Sequence, residues 1–155
     1  MDDDVDALAR EVGRRLADRS STIAVAESLT GGILVQALAR VEGSGEWLLG
    51  GLVAYARQVK HEVLGVTAAK VVSETAAREM ASGVRRLLGA DVAVAVTGVG
   101  GPDPQDGEPP GTVWIGIDDG TPAAALLTTD GSPDEICEAA VATSLRQVLD
   151  ALDGD

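Results

Sequence analysis

Ser28 lies in a short polar segment, Ala26-Glu27-Ser28-Leu29-Thr30-Gly31-Gly32, between an apolar run and a helical pattern. A serine in a turn from a buried strand into a helix has free backbone N–H groups and the positive end of the helix dipole beside it. Such groups can hold the oxyanion that forms when a serine attacks a carbonyl, and they contribute about 10²–10³ in rate. Taken alone, however, the pattern favours the commoner use of Ser28 or Thr30, which is to cap a helix.

A nucleophilic serine needs a base, and two candidates follow Tyr55. Lys60 and His61, the one histidine of the sequence, lie side by side in a predicted helix. Adjacent helical residues point about 100° apart, so we expect only one of them to face a cleft. A lysine withdrawn from water can have its pKa lowered and accept the serine proton, so we choose Lys60. A Ser-His-Asp triad with His61 is the weaker alternative.

Each of these residues also has an ordinary interpretation. An arbitrary lysine is far more often a solvated surface charge than a base, and His61 could be a surface residue without a role. Tyr55 is evenly balanced between a hydrogen-bond donor that assists the reaction and an amphipathic residue at the core boundary.

A glycine-rich segment follows a third apolar run. Residues 98–111 contain five glycines and four prolines, which predicts a long loop, and long ordered loops are often functional. The loop could bind an anion, wall a pocket or be a plain surface turn, and it matches neither common phosphate fingerprint. We predict substrate contacts from this loop and from the Ser28 turn. They are Glu27, Thr30, Gly31, Gly32, Thr97, Gly98, Gly100 and Gly101.

The elements that must position these residues are read from periodicity and breakers. Helices are predicted over 3–18, 33–38, 58–64, 74–88 and 133–152, and strands over 22–26, 51–55, 92–96, 112–117 and 123–128. Ser73 and Ser132 are expected N-caps, and Gly89 is an expected helix stop. Strands that alternate with helices predict an α/β fold covered on both faces, with one late antiparallel pair. Ligands bind outside the carboxyl ends of such strands, so the turns after Ala26, Tyr55 and Val96 should share one edge.

Composition limits the function. With 12 basic against 25 acidic residues the net charge is −13, and only three residues are aromatic, so nucleic-acid binding is not expected. No apolar run reaches the roughly 20 residues of a membrane span. One histidine and one cysteine supply too few ligands for a metal site, and Cys137 is expected as a core thiol. Without an export pattern at the start, we expect one cytoplasmic domain over residues 1–155.

Taken together, three segments resemble the CinA C-terminal domain family, the nicotinamide-nucleotide amidases. The family's Ala-Glu-Ser-x-Thr-Gly-Gly turn is matched by residues 26–32. Its tyrosine, followed by lysine and then Leu-Gly-Val, is matched by Tyr55, Lys60 and residues 64–66. Its Thr-Gly-x-x-Gly-Pro loop and later Gly-Thr-Val strand are matched by residues 97–102 and 111–113. The resemblance spans essentially the whole chain, and it reverses the preference for a capping role.

The resemblance implies a three-layer α/β/α sandwich with a mixed, mostly parallel sheet of about five strands. It implies hydrolysis of the carboxamide of nicotinamide mononucleotide to the nicotinate nucleotide and ammonia, with Ser28 as nucleophile, Lys60 as base and Tyr55 assisting. No metal or organic cofactor is implied, and a homo-oligomer is. The family also occurs fused behind a second domain that resembles molybdopterin-binding proteins, and this chain is expected to be the stand-alone form.

One departure from the family concerns the last helix. Relatives often begin it with Gly-Asp-Arg and carry a further arginine, whereas here Ser132 and Pro133 follow Gly131 and Cys137 occupies the later position. Arg40, Arg57 or Arg146 could replace a phosphate-binding arginine. The departure leaves two other functions open: a nucleotide-binding or regulatory domain with weak turnover, and an amidase for a different amide.

Overall fold

A computed structural model describes residues 3–154. It contains one five-stranded sheet and five α-helices within those residues. The strands are β1 (Ile23–Glu27), β2 (Leu48–Val53), β3 (Val92–Gly98), β4 (Thr112–Asp118) and β5 (Pro122–Thr128). The helices are α1 (Asp3–Asp18), α2 (Ile33–Ala39), α3 (Arg57–Glu62), α4 (Glu74–Leu88) and α5 (Pro133–Asp153), with a 3₁₀ turn at Ser44–Glu46.

The sheet order is β2-β1-β3-β4-β5. β1 pairs in parallel with both β2 and β3, so Val25 lies between Gly51 and Val94. β4 is antiparallel to β3 and β5 is antiparallel to β4, so four of the five strands run the same way. The carboxyl ends of β1, β2 and β3 therefore lie at one edge of the sheet, as the sequence predicts.

Apolar side chains fill both sides of the sheet. The first core joins it to α1, α2 and α5, and the second joins it to α4 and to the segment that contains α3. In β1 the alternation is direct, because Ile23 and Val25 enter the first core while Ala24 and Ala26 enter the second. Both faces of β1 are buried, which explains its unbroken apolar run. The predicted three-layer α/β/α sandwich is confirmed.

Helix ends follow the predicted signals. The hydroxyl of Ser73 accepts a hydrogen bond from the N–H of Ala76, and Gly89 ends α4 in the left-handed conformation. Ser132 and Glu135 form the predicted capping box, in which each side chain accepts a bond from the backbone N–H of the other residue. These bonds satisfy N–H groups that a helix terminus otherwise leaves free.

Two predicted element boundaries near the candidate site differ from those in the structure. The second strand is Leu48–Val53 rather than 51–55, because β1 fixes its register by pairing Ile23 with Leu48. The sequence conceals this start, since Gly50 and Gly51 are poor strand formers. The following helix is Arg57–Glu62 rather than 58–64. Over residues 3–154, no helix is both long and apolar enough to cross a membrane.

Candidate active site

Ser28 follows the last residue of β1, and its carbonyl accepts a hydrogen bond from the N–H of Gly31, 3.0 Å away. Gly31 and Gly32 have φ angles of 56° and 109°, a conformation that favours glycine, and α2 begins directly after them. The N-cap residue of α2 is Gly32, which has no side chain that could bond to the helix. Within the described part of the chain the Ser28 hydroxyl is not a helix cap, so the capping interpretation of Ser28 and Thr30 is wrong.

Glu27 supplies the cap instead. Its side chain is buried, and its two carboxylate oxygens accept hydrogen bonds from the N–H groups of Leu34 and Val35, each at 2.9 Å. A carboxylate at this place satisfies two free donors and is stabilised by the helix dipole. Glu27 thereby ties the end of β1 to the start of α2 and fixes the turn that carries Ser28.

Lys60 is buried, with 2% of its surface exposed. Its amine donates a hydrogen bond to the backbone carbonyl of Tyr55, with 3.2 Å between the two atoms. Burial lowers the pKa of Lys60, the positive charge of Arg57 lowers it further, and Asp106 acts in the opposite direction. His61 points elsewhere, with its Nδ1 atom 2.6 Å from the carbonyl oxygen of Val66. As expected for adjacent helical residues, only Lys60 faces the cavity.

Ser28 and Lys60 line the same cavity, which has a volume of about 350 Å³. Tyr55, 71% exposed, lies in its wall. Much of the remaining wall comes from the loop after β3. The lining residues are Ser28, Leu29, Tyr55, Lys60, Val72, Thr97, Gly98, Val99, Gly100, Gly101, Pro102, Asp103, Pro104, Gln105, Pro133 and Cys137.

The predicted substrate-contacting residues divide into two groups. Thr97, Gly98, Gly100 and Gly101 line the cavity, whereas Glu27, Thr30, Gly31 and Gly32 do not. The Thr97 hydroxyl is buried and donates a hydrogen bond to the carbonyl of Val71, at 2.6 Å, so it anchors the wall. Thr30 is buried as well, and its hydroxyl has no hydrogen-bond partner among residues 3–154.

Cys137 is a lining residue that the sequence does not reveal. Its thiol is half-buried and donates to the carbonyl of Leu29, with 3.3 Å between the atoms, so the expectation of a core thiol is wrong. Burial raises the pKa of this thiol, and the charges of Asp134 and Glu27 act in the same direction. The start of α5 reaches the cavity through a contact between residues 108 positions apart, which no local pattern encodes.

The three arginines considered for a phosphate are engaged elsewhere. Arg57 pairs with Asp106, Arg40 with Asp6 and Arg146 with Asp4. Among residues 3–154 no arginine lines the cavity, and of the described residues that do, Lys60 is the one cation and Asp103 the one carboxylate. Over residues 3–154, no group of three or more histidine, cysteine or acidic side chains has the arrangement of a metal site.

This arrangement can support chemistry on a carbonyl compound. A hydroxyl and a buried amine of lowered pKa share one cavity, and backbone groups of a glycine-rich loop lie in its wall. Together, the fold and the cavity define a three-layer α/β protein in which Ser28 and Lys60 line one cavity at the carboxyl ends of the parallel strands. The model of the CinA C-terminal domain family matches residues 5–152, and the chain belongs to that family.

Similar proteins agree with this assignment. The crystal structure of a CinA superfamily protein from Klebsiella pneumoniae is 30% identical and has a TM-score of 0.93, covering 97% of this chain and 99% of its own. The competence/damage inducible protein CihA from Agrobacterium tumefaciens is 31% identical, with a TM-score of 0.91 and coverages of 99% and 98%.

Longer relatives match only in part. A CinA-like protein from Synechococcus is 44% identical over 120 residues, which are 74% of this chain and 28% of that protein. The chain spans about a third or less of the length of the curated relatives it matches.

Proposed function

We propose that this protein is an amidohydrolase that converts nicotinamide mononucleotide to nicotinate mononucleotide and ammonia. The observation that carries the proposal is that Ser28 and the buried Lys60 line one cavity. Membership of the CinA C-terminal domain family is consistent with a hydrolase. The substrate in this proposal follows from the sequence resemblance.

In this mechanism the neutral amine of Lys60 takes the proton of the Ser28 hydroxyl while the serine oxygen attacks the carboxamide carbon. The tetrahedral intermediate collapses, and its nitrogen leaves as ammonia after it receives that proton from Lys60. Water then hydrolyses the resulting ester and releases the carboxylate and the free serine. Tyr55 would assist as a hydrogen-bond donor, and the loop glycines would contact the substrate.

The lowered pKa of Lys60 supports its role as the base. An amine acts as a base only in its neutral form, and an ordinary lysine is almost entirely protonated at neutral pH. Burial and the nearby Arg57 both favour the neutral form of Lys60. Ser–Lys pairs follow the same logic as the Ser-His-Asp triad, with one group to activate the nucleophile.

Ammonia release from nicotinamide mononucleotide tests the proposal. Ser28→Ala and Lys60→Met should each lower kcat by at least about 10³-fold, because the nucleophile and its base act as one unit. Matched controls are Ser44→Ala in the 3₁₀ turn and Lys70→Met, since Lys70 is the only other lysine and is largely exposed. Full activity in either Ser28→Ala or Lys60→Met would contradict the mechanism.

A second candidate function is suggested by the charges of the cavity. Because Lys60 is the one cation among the described residues that line the cavity, the phosphate of a nucleotide has no arginine partner among them. An amidase for another amide is therefore tested with a panel of amides scored by ammonia release. Thermal stabilisation by the nucleotide without product would instead indicate the binding or regulatory function.

The expected cytoplasmic location stays a prediction, checked by cell fractionation.

A further inference from the structure

The loop that walls the cavity is attached to the helix that carries Lys60 by one ion pair. Asp106 lies at the loop's turn with a φ of 53°, an uncommon conformation for a residue other than glycine. One carboxylate oxygen accepts a hydrogen bond from the guanidinium of Arg57 at 2.6 Å. The other accepts from the N–H groups of Val71 and Val72 at 2.8 and 3.1 Å. The Asp106 side chain is only 10% exposed, so these bonds are sheltered from water.

The pair is bonded to one residue that lines the cavity and to another that contacts a lining residue. Arg57 also donates to the carbonyl of Ala69 at 2.6 Å, so it holds the segment before α4. Val72 lines the cavity, and Val71 accepts the hydrogen bond of Thr97, another lining residue. The Arg57–Asp106 pair thus connects α3, the segment of residues 69–72 and the loop.

The same pair also acts on Lys60 through its charges. Arg57 and Lys60 are three positions apart in α3 and therefore lie on neighbouring parts of its surface. Arg57 disfavours a second positive charge at Lys60, whereas Asp106 favours it. Burial alone would raise the pKa of Asp106, but hydrogen bonds from Arg57 and from the N–H groups of Val72 and Val71 lower it, so Asp106 carries a full negative charge at neutral pH.

Among the lining residues, three other ionisable groups lie beside Lys60, namely Tyr55 after β2, Asp103 in the loop and Cys137 in α5. Arg57 and Asp106 lie outside the lining, and theirs are the charges that shift the pKa of Lys60.

We propose that Arg57 and Asp106 are positioning residues of the candidate active site, which hold the loop against the cavity and set the electrostatic field at the Lys60 amine. This inference rests on the proposed function for its catalytic meaning, although the field itself can be measured without turnover. The two residues have opposite effects on Lys60, which distinguishes the proposal from a merely structural clamp. Loss of a clamp would loosen the loop in the same way whichever partner is removed.

Nuclear magnetic resonance of the lysine side chains gives the direct test. Lys60 and Lys70 are the only lysines, so protein labelled with ¹³C-lysine gives two Cε signals, and Lys70→Arg assigns them. We expect the Lys60 signal to titrate at lower pH than an ordinary lysine does. Asp106→Asn should move the Lys60 midpoint to lower pH, because Arg57 is then uncompensated. Arg57→Gln should move it to higher pH, because the carboxylate remains.

Glu108→Gln is the matched control. Glu108 lies two positions after Asp106 in the same loop and pairs with Lys70 at 3.1 Å, and it is not one of the charges that shift the pKa of Lys60. This variant should leave the Lys60 midpoint in place. Circular dichroism shows whether each variant is folded. Shifts of Lys60 in the same direction for Asp106→Asn and Arg57→Gln, or no shift in either folded variant, would overturn the proposal.

The pH dependence of kcat/KM for ammonia release connects the field to the reaction. In Asp106→Asn and Arg57→Gln the midpoint of its acidic limb should move in the same directions as the Lys60 signal. Both variants remove the ion pair that holds the loop in the cavity wall, so kcat/KM should also fall by about 10- to 100-fold. Glu108→Gln should not lower kcat/KM. Expected Lys60 shifts in a protein that releases no ammonia from any amide would sustain the inference on Lys60 and refute the proposed function. Normal turnover together with an unchanged Lys60 midpoint in both variants would refute the inference on Lys60 and sustain the proposed function.

Discussion

At the scale of the residue, Lys60 combines a cost in stability with a gain in reactivity. A buried ammonium group has lost hydration, so the folded state favours the neutral amine. Its hydrogen bond to the Tyr55 carbonyl and the carboxylate of Asp106 offset only part of that cost, because the pKa of Lys60 is still lowered. The property that suits Lys60 to accept a proton is therefore the one that destabilises the fold.

We predict that Lys60→Met stabilises the protein by about 1 kcal/mol at pH 7. This is within the range of single stabilising substitutions at positions where function costs stability. The gain must depend on pH. Because the pKa of Lys60 is lower in the folded state than the roughly 10.4 of an unfolded lysine, the unfolded state binds more protons between the two values. The wild type therefore gains stability as pH rises through that interval.

Urea unfolding of wild type and Lys60→Met at pH 7 and pH 10 measures this difference. The advantage of the variant should be full below the folded pKa and shrink as pH approaches about 10.4. Lys70→Met, at an exposed lysine, is the control and should stay within about 0.5 kcal/mol of wild type at both values. An equal advantage of Lys60→Met at both pH values would mean that its charge is not the cause.

At the scale of the element, the segment after α3 depends on a close approach to α4. Gly83 lies in α4 where the chain passes at Leu64, and a Cβ atom there would overlap the carbonyl of Leu64. Leu64 and Val66 fill the second core beside Met80 and Val84. The absence of a side chain at Gly83 lets the segment that follows Lys60 lie directly on α4.

We therefore predict that Gly83→Ala lowers the free energy of unfolding by about 1–3 kcal/mol, even though alanine is the better helix former. The cost arises because a backbone carbonyl, rather than a flexible side chain, must move. Gly45→Ala is the control, since no atom lies within 4 Å of a Cβ at that position. Chemical denaturation of both variants provides the measurement, and a stabilised Gly83→Ala protein would show that this contact is not tight.

At the scale of the whole molecule, the two tryptophans report on different layers. Trp47 is buried in the core between the sheet and α1, α2 and α5. Val113 and Ile115 enter that same core, so strand alternation places Trp114 on the opposite face, toward α4. The chain thus carries one fluorescent probe on each side of its sheet.

We predict that the protein unfolds as a single domain. Trp47→Phe and Trp114→Phe each leave one probe, and within each variant the fluorescence and circular dichroism transitions in urea should coincide. Separate midpoints for the two signals would indicate that the layers unfold independently.

Association into a homo-oligomer also stays a prediction, and light scattering should give a multiple of the 15.7 kDa chain mass.

Much of the fold could be predicted because its signals are local. The apolar spacing of α1, the serine caps of α4 and α5, and the buried run of β1 all depend on neighbouring residues, and each prediction is confirmed. The start of β2 was missed because its glycines hide a strand that pairing with β1 imposes. Boundaries set by a partner strand are not encoded in the strand alone.

The candidate site divides in the same way. From sequence alone it follows that Ser28 and Lys60 come after strands of one parallel set, and hence that they reach one edge of the sheet. Three other features depend on the packing of distant elements: Glu27 caps α2, Cys137 joins the cavity wall, and Asp106 pairs with Arg57 beside that wall. Arg57 and Asp106 are 49 positions apart, and such contacts arise from packing of whole elements, whereas periodicity and caps record only the first few neighbours of each residue.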